Sequence, residues 1–120
     1  MDGPVYQKSM LFSIKIIELY QYMQAKKELV ISKQLLASGT SVGANIREAS
    51  ADSSRKDFIN KMAIATKEAK EAKYWLELIQ NSKLVDYNVE ELIGLNNELV
   101  KILTSIVLTS KSRLKIRDEE

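Results

Sequence analysis

Residues 33–51 read KQLLASGTSVGANIREASA, and the spacing of their apolar members decides the fold. Leu35, Gly39, Val42, Ile46 and Ala49 recur at intervals of four, three, four and three, so all five fall on one side of an α-helix. That side is apolar but thin, because Gly39 has no side chain. Ala37, Ser41 and Ala44, on the opposite side, are also small. A helix that is small on two sides admits neighbours from both, so this segment is expected at the centre of a helical assembly. Gly39 and Gly43 each cost about 1 kcal/mol relative to alanine inside a helix. Three readings offset that cost: close approach of another helix, a local opening that offers backbone groups to a ligand, or a break. Their spacing resembles a membrane dimer motif, but the flanking charges exclude that setting.

Working outward, the spacing predicts four helices, at about 4–24, 29–51, 55–80 and 88–113. Pro4 suits a first helical position. Behind it Val5, Ser9, Phe12, Ile16, Leu19 and Met23 form a seam that Ile17 and Tyr20 widen. A polar first turn follows at 24–28. Asp52, Ser53 and Ser54 make the next, and Ser54 with Asp57 forms a capping-box variant. In the third helix Phe58, Met62, Ala65, Ala69, Ala72, Leu76 and Ile79 keep the four-three rhythm. Its alanines Ala65, Ala69 and Ala72 are expected to pack closely against Gly39 and Gly43. Asn88 and Glu91 resemble a further capping box. The fourth helix then carries Val89, Leu92, Leu95, Leu99, Ile102, Leu103, Ile106 and Val107 to about Arg113, and the last few residues of the chain are expected to fray. The fold class is all-α, an antiparallel up-down-up-down four-helix bundle in one domain, 1–120.

Composition agrees. The chain has 120 residues, 45% of them hydrophobic, one proline and four glycines, so little punctuates its helices. It has no cysteine, which excludes disulfides and thiolate metal sites. It has no histidine, the commonest general base and metal ligand. The opening MDGPVYQKS lacks the basic head and apolar run of a secretory signal. The longest uncharged apolar run, Ile102 to Ser110, falls short of the ~20 residues that a span needs. A cytoplasmic protein without a membrane partner is the expectation. A net charge of +2 does not by itself announce nucleic acid.

Opposite the core stripe of the third helix lie Lys56, Lys67, Lys70 and Tyr74, with Ile59 and Ala63 close by and Lys73 and Arg55 flanking. This face reads as a plain wet surface, as a subunit interface, or as a phosphate-tracking stripe with Tyr74 as a stacking ring. Trp75 reads as a core-edge residue bridging to the first or fourth helix, or as an oligomer contact. The candidate interface set is therefore Ala37, Ser41, Ala44, Ile59, Ala63, Tyr74 and Trp75. The candidate nucleic-acid set is Lys56, Lys67, Lys70 and Lys73. Glu68 with Glu71, and Glu48 with Asp52, are carboxylate pairs on single helix faces. Lys67 and Lys70 around Glu68 point to solvated ion pairs rather than catalysis. The hydroxyls of Ser38, Thr40 and Ser41 have no base beside them and are expected to bond the carbonyl one turn back. No catalytic residue, metal site, cofactor or small-molecule substrate is assigned, and the chain is not expected to be an enzyme.

The run from Ser38 to Ala49, SGTSVGANIREA, resembles the signature of the four-helix-bundle proteins encoded in intervening sequences of 23S ribosomal RNA genes. Ser38, Asn45, Ile46 and Glu48 are its motif positions. The likeness continues through Lys56-Asp57-Phe58, Ala69-Lys70-Glu71, Tyr74-Trp75-Leu76 and Leu103-Thr104-Ser105-Ile106. The same family is similar to the accessory proteins of diversity-generating retroelements. The resemblance implies a homopentameric ring, no enzymatic activity and, in the accessory branch, work beside a reverse transcriptase and nucleic acid. The expected function is a homo-oligomeric accessory or scaffold protein associated with RNA or a nucleoprotein. A basic-surface nucleic-acid binder and a plain protein–protein module are the alternatives. Asn45 reads either as bonding within its own helix or as holding a neighbouring one, the second being the expectation.

Overall fold

The structure, a computed structural model, describes residues 3–51 and 54–119, with side chains as far as Ile116. The expected turn residues Asp52 and Ser53, the Glu48–Asp52 pair and the terminal Glu120 lie outside the described residues. Four helices follow in order: α1, Pro4–Ala25; α2, Ile31–Ala51; α3, Arg55–Ser82; and α4, Glu90–Glu119. They form a rod of 57 × 23 × 22 Å.

Each helix starts and stops for a local reason. Pro4 opens α1. Its C-terminus closes with Lys27 at φ 64°, in the left-handed region, while the Glu28 N–H reaches back to the Met23 carbonyl at 2.9 Å. α2 starts two residues later than expected, because Glu28 supplies its cap. One Glu28 carboxylate oxygen accepts from the Ser32 N–H at 2.8 Å and the other from the Val30 N–H at 3.3 Å. Leu29 and Val30 consequently sit in the turn, 48% and 70% exposed. The Ser54 hydroxyl accepts from the Asp57 N–H at 3.0 Å, the cap expected of α3. At α4, Asn88 caps the Glu90 N–H at 3.0 Å, but the capping box does not close. Glu91 instead pairs with Lys15 on α1, at 3.0 Å. α4 also runs past its expected end at Arg113, since no glycine or proline interrupts residues 111–119.

Cross-helix contacts fix the directions. Lys8 pairs with Glu98, Lys15 with Glu91, and the Tyr22 hydroxyl with the Asp86 carbonyl, so α4 descends as α1 rises. Ile16 meets Gly39 and Tyr6 meets Arg47, which makes α1 and α2 antiparallel. Asn96 reaches Ala69 while Ala63 shares a groove with Val107, which makes α3 and α4 antiparallel. Each helix touches its two neighbours around the bundle, and among the described residues the diagonal pairs do not touch.

The core follows the predicted stripes. Phe12, Ile16, Leu19 and Met23 from α1 meet Leu35, Val42, Ile46 and Ala49 from α2. Met62, Ala65, Ala69, Ala72, Leu76 and Ile79 from α3, with Leu92, Leu99 and Leu103 from α4, complete it. Two expectations fail. Ile17 does not widen the seam but stands 40% exposed. Ile59 is not a surface residue of α3 but is 8% exposed and buried within the subunit. It sits in the second turn of α3.

Candidate functional site

The glycine pair of α2 has a definite neighbour, and it is α1. A Cβ at Gly39 would stand 2.9 Å from two carbons of Ile16, so only glycine lets that isoleucine in. A Cβ at Gly43 would meet the Ser9 and Ser13 hydroxyls at 3.4 and 3.5 Å, an ordinary contact. The atoms nearest the space above Gly39 and Gly43 belong to α1, while α2 and α3 also pack against each other along their lengths. α2 continues unbroken through both glycines and neither has a positive φ, so neither the break nor the local opening occurs. Ala65, Ala69 and Ala72 are fully buried. Beside Ala69 the Asn96 amide donates to the Ala69 carbonyl at 2.9 Å, which ties α4 to α3.

The motif positions of α2 serve the helix itself. The Ser38 hydroxyl donates to the Gln34 carbonyl at 3.1 Å, Thr40 to Leu36 at 2.6 Å and Ser41 to Ala37 at 2.6 Å. The Asn45 amide donates to the Ser41 carbonyl at 2.8 Å, within its own helix and not to a neighbour. The reason is reach: Ser41 lies one turn back on the same flank. Ile46 is buried, and Glu48 pairs with Lys61 of α3 at 2.9 Å.

Of the candidate interface residues, Ala37, Ala44 and Tyr74 are exposed, while Ser41, Ala63 and Trp75 are half-buried. Tyr74 is 57% exposed and stacks edge-on against Trp75, at 4.9 Å between centroids. Trp75 packs on the core cluster, and its indole N–H is buried without a hydrogen-bond partner among the described residues. Lys56, Lys67 and Lys70 are exposed and Lys73 is half-buried.

Glu68 and Glu71 do not form the expected pairs with Lys67 and Lys70, since no ion pair joins them among the described residues. They face each other. Burial, then the charge and hydrogen bond of Glu71, push the Glu68 carboxyl above its ordinary value of 4.5, and Lys67 pulls it partly back. Among the described residues no three metal-binding side chains converge.

Two surfaces escaped the sequence reading. Along α1, Met10, Leu11, Ile14 and Ile17 are 44, 47, 47 and 40% exposed. Met10 lines a depression together with Gly43 and Ala44, where Arg47 donates to the Tyr6 hydroxyl at 3.1 Å. Between α3 and α4, Ala63, Thr66, Val107 and Leu108 line an open groove of about 340 Å³, with Lys67 and Lys70 beside it. The first was legible in principle, because α1 carries more large apolar residues than one seam uses. The second needed the packing of two helices.

These features define a four-helix bundle whose unusual chemistry is on its outer surfaces. The chain belongs to the 23S rRNA-intervening sequence protein family, whose model matches residues 1–105. It is similar to a Bacteroides thetaiotaomicron VPI-5482 protein whose crystal structure is described as that of a protein with unknown function from the S23 ribosomal protein family. The two are 48% identical, the match covers 86% of this chain and 97% of that one, and the TM-score is 0.79. None of the curated proteins matches the chain.

Proposed function

We propose that this protein is a non-enzymatic, self-associating scaffold or accessory protein of the cytoplasm, acting in an RNA-associated context. The observation that carries the reading is the outer face of α1. Four large apolar side chains stand 40% or more exposed within eight residues of one helix. Scattered apolar residues are ordinary on a surface, but a contiguous patch marks an interaction site. Tyr74 on α3 and Leu108 on α4 are separate exposed apolar side chains, 57% and 63% exposed. The RNA context rests on family membership. Light scattering at micromolar concentration tests self-association: a mass well above 13.6 kDa is expected, and a monomer overturns the reading. Tyr74→Glu tests whether the α3 face takes part, in which case it lowers the mass without loss of helicity.

A second reading is favoured by one observation, the exposure of Lys56, Lys67 and Lys70 along α3, the helix that also carries the exposed Tyr74 ring. It makes this face a contact for structured RNA. Binding would then weaken steeply with salt, as neutralised phosphates release their counterions. Retention on a filter that is absent or insensitive to salt rules it out.

A further inference from the structure

The depression between α1 and α2 carries hydrogen-bond donors that have nothing to donate to. On α1 it is lined from Tyr6 to Ser13 and on α2 from Thr40 to Arg47, two helical turns on each side, about 10 Å. Its volume of about 260 Å³ is just under the ~300–1,000 Å³ of sites for drug-sized ligands. Gly43 makes the room. Packing does not demand a glycine there, since a Cβ would stand in ordinary contact, 3.4 Å from the Ser9 hydroxyl and 3.5 Å from that of Ser13. Without that carbon the floor stays open beside both hydroxyls.

The hydrogens of the lining groups can be accounted for one by one. Ser9 donates to the Tyr6 carbonyl at 2.8 Å and Thr40 to the Leu36 carbonyl at 2.6 Å, so neither hydroxyl has a proton left. The Tyr6 hydroxyl accepts from Arg47 at 3.1 Å, which leaves its own hydrogen without an acceptor among the described residues. The Ser13 hydroxyl makes no hydrogen bond among them. Arg47 spends one N–H on Tyr6 and meets no carboxylate among them. Acids are scarce on both helices. The one acid of α1, Glu18, lies more than a turn beyond Ser13, and the one acid of α2, Glu48, is held by Lys61 at 2.9 Å. The Arg47 charge is therefore uncompensated, while Met10 and Ala44 supply an apolar wall. We propose that this depression is a binding site for a small organic carboxylate. The Arg47 guanidinium takes the two carboxylate oxygens, and the Tyr6 and Ser13 hydroxyls donate to them. The apolar end of the ligand lies against Met10 and Ala44, over Gly43. A doubly charged phosphate fits less well, because Arg47 is the one cation lining the site among the described residues and Lys8 nearby on α1 is taken by Glu98.

Equilibrium dialysis of radiolabelled hexanoate against the full chain tests the site. Saturable binding of one hexanoate per chain is expected. Hexanamide, of the same shape but uncharged, should compete about tenfold more weakly or worse, since the charge-assisted bonds are lost. Arg47→Gln should weaken hexanoate by a similar factor, and Tyr6→Phe by about two- to tenfold. Gly43→Ala should also weaken it, by filling the floor. Circular dichroism should report unchanged helicity for all three: Arg47 is exposed, Tyr6→Phe removes one oxygen, and a Cβ at position 43 meets ordinary contact. Hexanoate that does not saturate, hexanamide that competes equally, or an Arg47→Gln chain that binds like the parent overturns the site. Inorganic phosphate competing as strongly as unlabelled hexanoate overturns the choice of an apolar carboxylate. The count is made per chain, so the result is independent of whether copies associate.

Discussion

Three of the four glycines lie within helices, and each does something different. Gly39 is a steric necessity. Gly39→Ala should destabilise by about 1–3 kcal/mol, because its Cβ would press on Ile16. In an Ile16→Ala background the same change should cost close to nothing, and a double-mutant cycle by urea denaturation measures the difference. Gly94 is a helical position with nothing within 4 Å of its missing Cβ. Gly94→Ala should therefore stabilise by about 0.5–1 kcal/mol, seen as a melting temperature a few degrees higher. Gly43 falls between them. Its added Cβ finds ordinary contact, so the sequence reading that treated both glycines of α2 alike separates into one that is required and one that is tolerated. Glu68 adds a pH dependence. Its folded value is raised, so the folded state holds the proton more tightly than the unfolded chain does. That contribution is complete below the ordinary value of 4.5 and is lost as pH rises through the raised one. Glu68→Gln should be more stable than the parent at neutral pH, with the gap closing as pH falls toward 4.5, by denaturant titration across that range.

At the scale of elements, the helices were legible because the four-three rhythm was continuous and glycine and proline were scarce. The errors cluster at ends and partners. α2 started late because Glu28, an acid outside the usual capping set, turned back to hold the Val30 and Ser32 amides. The box at Asn88 failed because Lys15 competed for Glu91. Asn96 was not singled out at all, since a polar residue in a leucine-rich stripe breaks no period. It is fully buried and its side-chain amide donates to the Ala69 carbonyl, while its side-chain oxygen Oδ1 is without a partner among the described residues. Asn96→Ala should lose that bond and leave a small cavity, lowering stability by about 1–3 kcal/mol in a urea melt. Its cost should exceed that of Asn97→Ala, one residue away on the exposed surface.

For the whole molecule, association and folding are linked. If copies meet through α1, the folded state is stabilised by mass action. The melting temperature should rise with protein concentration for the parent and stay level for Ile14→Glu; a parent whose melting point ignores concentration counts against assembly. The sequence by itself determined four amphipathic helices, their core stripes, the family, and the lack of histidine and cysteine chemistry. It could do so because periodicity and composition are properties of the chain alone. Tertiary structure decided which neighbour fills the space above Gly39, why Ile59 is inside and Ile17 outside, and where a groove opens between α3 and α4. Those outcomes depend on the angle and offset at which rods pack, and no single helix encodes that.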